Sequence, residues 1–402
     1  MADGIFAGLR VIDCASWIAG PAAATILSDF GAEVIKIEPP GAGDPWRGRV
    51  FAATPDKGTD YWWELTSRNK KSLAIDLKHR EGLRVLHRLI GTADVFITNF
   101  PPPVRERLQI AAADLLAINP RLVYGSISAY GELGAEAART GFDATAYWAR
   151  TGLMDMVRDG TKTEPVRSMP GMGDHPTATG LYAAIVTALY RREKTGKGGV
   201  AQTSLLQNGL WANGCYVQNR LFGEHVPYRP ARIDTPSALA NHYQCKDGRW
   251  FLMALHNEAR QLGAFLKAID AEHLAKDPRF ATQLDRRANH KVLTAILDEV
   301  FAQRDLHEWR PILEKAGVTF GPVSTVDEAG DDEQSRTIGA LVPFADGTGL
   351  TVSSPFHVDG AAKVAPVRAP QVVGQHSEMV LRDAGYSADD IEKLKKLGVL
   401  QP

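Results

Sequence analysis

Apolar runs in the N-terminal half of the chain are short, bounded by turn residues, and separated by stretches of helical period. Residues 9–13 (Leu9-Arg10-Val11-Ile12-Asp13) predict a buried strand, Trp17-Ile18-Ala19-Gly20-Pro21 a turn, and residues 22–29 a helix closed by Phe30-Gly31. The next strand falls on residues 32–37. A strand–helix–strand unit within about thirty residues is the signature of a parallel α/β sheet. The pattern resumes with a strand over 72–77, a helix over 81–90 and further strands over 94–98 and 121–127.

The turn at residues 17–21 presents backbone N–H groups at a helix N-terminus, which suits an anionic ligand. It holds one glycine, Gly20, where a dinucleotide fingerprint needs three, so it does not read as an NAD site. Composition shifts near Leu221. Residues 223–236 are rich in Pro, Arg and His and read as a linker. His242 to Cys245 and Trp250 to Met253 flank Asp247-Gly248, which predicts a hairpin, and helices follow to about residue 316. Strand-like residues near Thr351-Val352 and a helix over 387–397 end the chain.

At 402 residues two domains are expected. A net charge of −1 with 23% charged residues provides no basic field for nucleic acid. No apolar run reaches the length of a membrane span, and the stretch from Met1 to Gly4 does not read as a signal peptide. Cys14, Cys215 and Cys245 are odd in number and irregularly spaced, which suggests neither disulfides nor a zinc site. The eleven histidines form no HExxH pattern. A cytoplasmic protein without a metal is expected.

Pro170-Gly171-Met172-Gly173-Asp174-His175-Pro176 sets one carboxylate between a glycine-rich turn and a helix predicted over 177–192. Two readings stand side by side. Asp174 caps the helix, with Pro176 in the first turn, or it is a nucleophile beside glycines that admit a substrate close to the backbone.

Five blocks resemble the class III CoA-transferases, the CaiB/BaiF family, and run in that family's order. The first extends from Leu9 through Ala19-Gly20-Pro21 and Gly31 to Glu38, closing at Gly43-Asp44 and Arg47. The second is Asn69 to Lys78, and the third Asp94 to Phe100. The fourth is the Asp174 loop with Thr195-Gly196-Lys197-Gly198; the fifth is Gly321-Pro322-Val323 with Ala369-Pro370 and Gly374-Gln375-His376.

The resemblance implies a large Rossmann-like parallel-sheet α/β domain from residues 1–222 and 322–402, a small inserted α+β domain over 223–321, and an interlocked homodimer. It implies transfer of CoA from an acyl-CoA thioester to a carboxylic acid, with Asp174 as the catalytic aspartate passing through an anhydride and an aspartyl-CoA thioester. Coenzyme A would then meet backbone at Trp17, Ile18 and Ala19. Lys78, Arg107 and Arg139 would supply cations for its phosphates, and Ile75, Asn99 and Phe100 would line the nucleotide. Gly171, Gly173 and Phe142 would form the substrate loop, and the amides beside Asp174 would stabilise an oxyanion.

An α-methylacyl-CoA racemase of the same fold is the nearest alternative. It needs a proton-carrying His in a Gly-His-Asp context, and this chain reads Gly141-Phe142-Asp143. A non-catalytic CoA-binding protein is the other alternative, and it would not need the Asp174 loop. Tyr61-Trp62-Trp63, Trp17, Phe142, Tyr147 and Trp148 form an aromatic set for either a bulky acyl group or core packing.

Overall fold

The computed structural model describes residues 4–49, 60–160 and 162–401. Met1 to Asp3, part of the stretch read above for a leader, lie outside the described residues. The chain divides into two compact units. One takes Met1–Asp155, Val166–Val226 and Glu333–Pro402; the other takes Met156–Pro165 and Pro227–Asp332. The second unit therefore differs from the expected span of 223–321 at both ends. It includes a short stretch before the Asp174 loop because Arg229 pairs with Asp159 at 2.9 Å and Gly160 N–H donates to the Arg229 carbonyl.

The first unit is built on six parallel strands: β1 (Arg10–Cys14), β2 (Glu33–Glu38), β3 (Lys70–Ala74), β4 (Val95–Thr98), β5 (Val123–Ser128) and β6 (Gly199–Ser204). Their spatial order is β3-β2-β1-β4-β5-β6. That order reverses between β1 and β4, the switch point where open α/β sheets leave a crevice beyond the strand ends. Strands covered on both faces read as near-continuous apolar runs, so β1, β2, β4 and β5 lie within two residues of their predicted positions.

Two helices cover one face, Ala19–Asp29 and Asp174–Thr195. The first is buried along its whole length, and Ala23 and Leu27 pack with Ala178, Leu181 and Ile185 of the second. Gly125 in β5 eases this approach, since a Cβ there would sit 3.0 Å from Ile185 Cδ1. The other face packs on the helix Arg80–Ile90 and on Val380, Leu381, Ile391 and Leu394 near the C-terminus. The second unit has its own antiparallel sheet, His242–Gln244, Trp250–Met253 and Phe320–Pro322, over a core that includes Phe251, Phe301 and Trp309. The predicted hairpin forms its first two strands. Among the described residues no helix is long and apolar enough to cross a membrane.

Charged residues are buried under the turn after β1. Lys70 Nζ lies 2.9 Å from Asp13 Oδ2 and also donates to the carbonyls of Pro21 and Thr66. Lys36 Nζ pairs with Asp44 Oδ2 at 2.7 Å, lies 3.8 Å from Asp13 Oδ1 and donates to the Ala15 carbonyl. Burial alone would raise the Asp13 carboxyl, but the two ammonium groups outweigh it and hold it below the usual range. Nearby, Glu38 takes two bonds from Arg47, at 2.6 and 2.8 Å, and one from Ser72 Oγ. The family-like residues Glu38, Asp44 and Arg47 thus act here as structural ion partners.

Removing one partner of such a set leaves a buried charge uncompensated, which costs about 3–5 kcal/mol. Lys36→Met is expected to lower stability by that order in urea unfolding. Adding Asp44→Asn should restore part of the loss by removing the orphaned charge. A Lys36→Met protein as stable as the parent would show that the cluster is dispensable.

Candidate active site

The turn beyond β1 is pinned from two sides. Asn99, just past β4, accepts Ser16 N–H at 2.9 Å through Oδ1 and donates Nδ2–H to the Ser16 carbonyl at 2.7 Å. Asp44 Oδ1 accepts the amides of Trp17 at 3.1 Å and Trp46 at 2.9 Å. Between these anchors Trp17 adopts φ 68°, a left-handed conformation uncommon for a bulky residue and held only by its surroundings. The helix then starts at Ala19, whose first-turn amides lack intrahelical partners.

Asp143 organises the second wall. This buried carboxylate opens a π-helical turn, Asp143–Ala149. It accepts Ala144 N–H at 2.7 Å on Oδ1, and on Oδ2 the amides of Gly171 at 3.0 Å and Gly173 at 3.2 Å. Gly171 needs its freedom, with φ 90°, and a Cβ on Gly173 would come within 2.9 Å of Asp143 and Tyr147. His175 Nδ1 lies 3.1 Å from the Gly171 carbonyl and ties the loop to the helix. The amides of Gly171 and Gly173 are therefore engaged by Asp143.

Asp174 is the first residue of the helix Asp174–Thr195, with Gly173 in the capping position and no side-chain cap bond. The capping reading of Asp174 does not hold. Its carboxylate is partly buried, lines a cavity, and has no hydrogen bond among the described residues. Burial, with the Asp143 charge behind it, pushes Asp174 up to about 7, although a helix N-terminus alone would lower it. Desolvation is the stronger influence here.

The cavity is about 660 Å³ and opens at the β1/β4 crevice. Trp17, Ile18 and Ala19 line one side and Asn99 and Phe100 another, with Arg139, Phe142 and Asp174 completing the expected residues found in its wall. Trp17 meets Phe142 edge-on at 5.6 Å and Trp46 at 6.2 Å, and Trp46 stacks on Trp62 at 5.0 Å. Arg139 is engaged by Glu136 and lies over the Tyr130 ring.

Other expected residues lie elsewhere. Ile75 is 1% exposed, packed in the core and bridged to Leu400, so its side chain is no cavity wall. Lys78 and Arg107 are exposed and outside the lining; Gly171 and Gly173 are buried behind it. Of the aromatic set, Trp63 is buried with Nε1–H on the Pro370 carbonyl, and Tyr147 backs Gly173. Sequence reasoning missed Trp46, Asp143, Arg167 and Ser168. For Asp143 the signal was its pairing in sequence with Phe142, weighed above only as a test for a racemase.

The family profile described as CoA-transferase family III matches residues 6–377. The chain is 34% identical over 401 residues to (R)-2-hydroxy-4-methylpentanoate CoA-transferase of Clostridioides difficile, covering 98% of this chain and 99% of that protein. It is 30% identical to cinnamoyl-CoA:phenyllactate CoA-transferase of Clostridium sporogenes, covering 98% of this chain and 96% of that one. In structure it is similar to a CaiB/BaiF family protein from Brucella suis, with a TM-score of 0.85, 29% identity, and 95% and 100% of the two chains covered. The chain belongs to CoA-transferase family III and is an enzyme of that class.

Proposed function

We propose that Asp174 is the nucleophile of a CoA transfer from an acyl-CoA thioester to a carboxylic acid. The observation that carries this reading is an unpartnered, partly buried carboxylate, raised to about 7, in the wall of the crevice cavity. An Asp174 oxygen attacks the thioester carbonyl, the C–S bond breaks, and CoA leaves as thiolate from a mixed anhydride. The thiolate then attacks the aspartyl carbonyl, leaving an aspartyl-CoA thioester and the free acid anion. An acceptor acid reverses both steps. No proton or electron is gained or lost overall, and covalent capture retains the thioester's free energy.

Anhydrides hydrolyse, so the aromatic wall of Trp17, Trp46 and Phe142 would serve to keep water from the carbonyl. The same wall supports acids with apolar, branched or aryl chains. The relatives named above for a branched hydroxy acid and for phenyllactate agree with that class. For coenzyme A itself, the first-turn amides after Trp17 support pantetheine contact, and Lys78 and Arg107 remain candidates for its phosphates from the solvent side. A homodimer is supported by exposed apolar side chains such as Trp211 and Phe222, 87% and 78% exposed, and light scattering at twice the chain mass is expected.

Incubation with a panel of acyl-CoA thioesters, including acetyl-, succinyl-, 4-methylpentanoyl- and 3-phenylpropanoyl-CoA, should give a CoA adduct that maps by mass spectrometry to Asp174. Asp174→Asn should form no adduct and lose at least about 10⁴-fold in kcat. Full activity in that variant would end the nucleophile assignment.

Only the ionised carboxylate attacks. The kcat/KM for the thioester is therefore expected to rise about tenfold per pH unit below 7 and to level off above it. The same group disfavours folding when charged, because its folded pKa is raised. Asp174→Asn should raise the thermal midpoint fully above pH 7, and the gain should vanish below the unfolded aspartate value of about 3.9. A gain independent of pH would contradict the raised pKa.

A further inference from the structure

Carboxylic acids approach this cavity as anions, and the carboxylate of Asp143 stands in its wall. Like charge opposes the acid's entry unless a cation meets it. Among the described lining residues the cations are Arg139 and Arg167. The first is taken: Glu136 pairs with Arg139 and also with Arg150 at 3.0 Å. Arg167 is exposed and has no ion pair or hydrogen bond among the described residues.

Beside it, Ser168 is only 9% exposed and lines the same cavity, and its Oγ has no hydrogen-bond partner. Unlike the other buried hydroxyls without a partner, at Ser67, Thr294 and Ser354, this one stands in the cavity wall, where an entering ligand can supply the bond. Both residues lie just before the Asp174 loop, whose Pro170 is also in the wall. A planar guanidinium and a hydroxyl lining one cavity suit a carboxylate.

Resting on the reading that Asp174 carries the acyl group, we propose that Arg167 and Ser168 form the anchoring site for the carboxylate of the free acid. Their bonds to one carboxylate oxygen leave the other to attack the aspartyl thioester, while the apolar remainder lies against Trp17 and Phe142. An acyl-CoA thioester has no carboxylate at its reacting end, so the pair recognises the acid and not the thioester. The site selects carboxylates as such, and the aromatic wall selects among them.

The test uses the full-length enzyme and the free acid of whichever thioester labels Asp174, with CoA exchange between the two as the assay. Arg167→Met is expected to raise the KM of the acid about 10- to 100-fold, the effect of losing a charge-assisted bond. The KM of the thioester should stay within about twofold, and Arg167→Lys should recover part of the loss. Ser168→Ala should raise the acid KM about 3- to 10-fold.

Arg167 is exposed, so an unchanged thermal midpoint is expected and will separate binding from folding. An acid KM that does not change, or two KM values that rise together, overturns the anchoring site. Failure of the underlying reading looks different: the unsubstituted enzyme would then form no adduct at Asp174 with any thioester.

Discussion

The ion pair between Lys36 and Asp44 ties the interior of the sheet to the cavity wall. Lys36 lies in β2 with its ammonium group fully buried, a position that is strongly unfavourable without a partner. The carboxylate that neutralises it also receives the amides of Trp17 and Trp46. Burying the charge and placing two aromatic walls are therefore one event. Trp17 sits in the left-handed region, at a cost of about 1–2 kcal/mol for a residue with a Cβ, and Asp44 on one side and Asn99 on the other offset it. Asn99 belongs to the end of β4, the strand across the switch point from β1. The crevice is thus shaped by side chains from the loops that follow β2 and β4.

A second carboxylate works in the same way on the other wall. Asp143 is buried and takes three amides, two of them from the glycine loop. Its oxygens are satisfied by those N–H groups. The neighbouring carboxylate receives no such bonds and bears the full effect of burial. Two aspartates of identical chemistry are set apart by their hydrogen bonds: one holds the backbone, and the other is left without a partner among the described residues.

Much of this was legible in the sequence, and the exceptions have physical causes. Strands with unbroken apolar runs were placed well because burial on both faces dictates their composition. β3 was expected at 72–77 but starts at Lys70, since a lysine reads as surface although this one is buried against Asp13. β6 went unread because half of Gly199–Ser204 is polar, and the glycines before it read as a basic, glycine-rich tail. Gly198 is instead fixed by packing, as a Cβ would lie 2.0 Å from the Leu122 carbonyl. Asp174 was legible through its loop motif. Asp143, Arg167 and Ser168 were not, because what sets them apart is whether a distant group satisfies them, and no local pattern encodes that.

The position of Asp174 at the start of a helix sets opposing influences on one carboxylate. The helix N-terminus favours its anion, while burial and the Asp143 charge disfavour it, and the balance falls at about 7. In the proposed cycle the same carboxylate has to attack a thioester and later leave an anhydride. Attack favours a basic oxygen and departure a weakly basic one, so either extreme would slow one of the two steps. An aspartate at its ordinary pKa would leave readily but attack weakly; one raised far above neutrality would be mostly protonated at pH 7. A value near 7 keeps about half the enzyme ionised at neutrality with a more nucleophilic oxygen. The unpartnered state of Asp174 is what makes this balance possible, and any side chain that satisfied it would shift the balance toward departure.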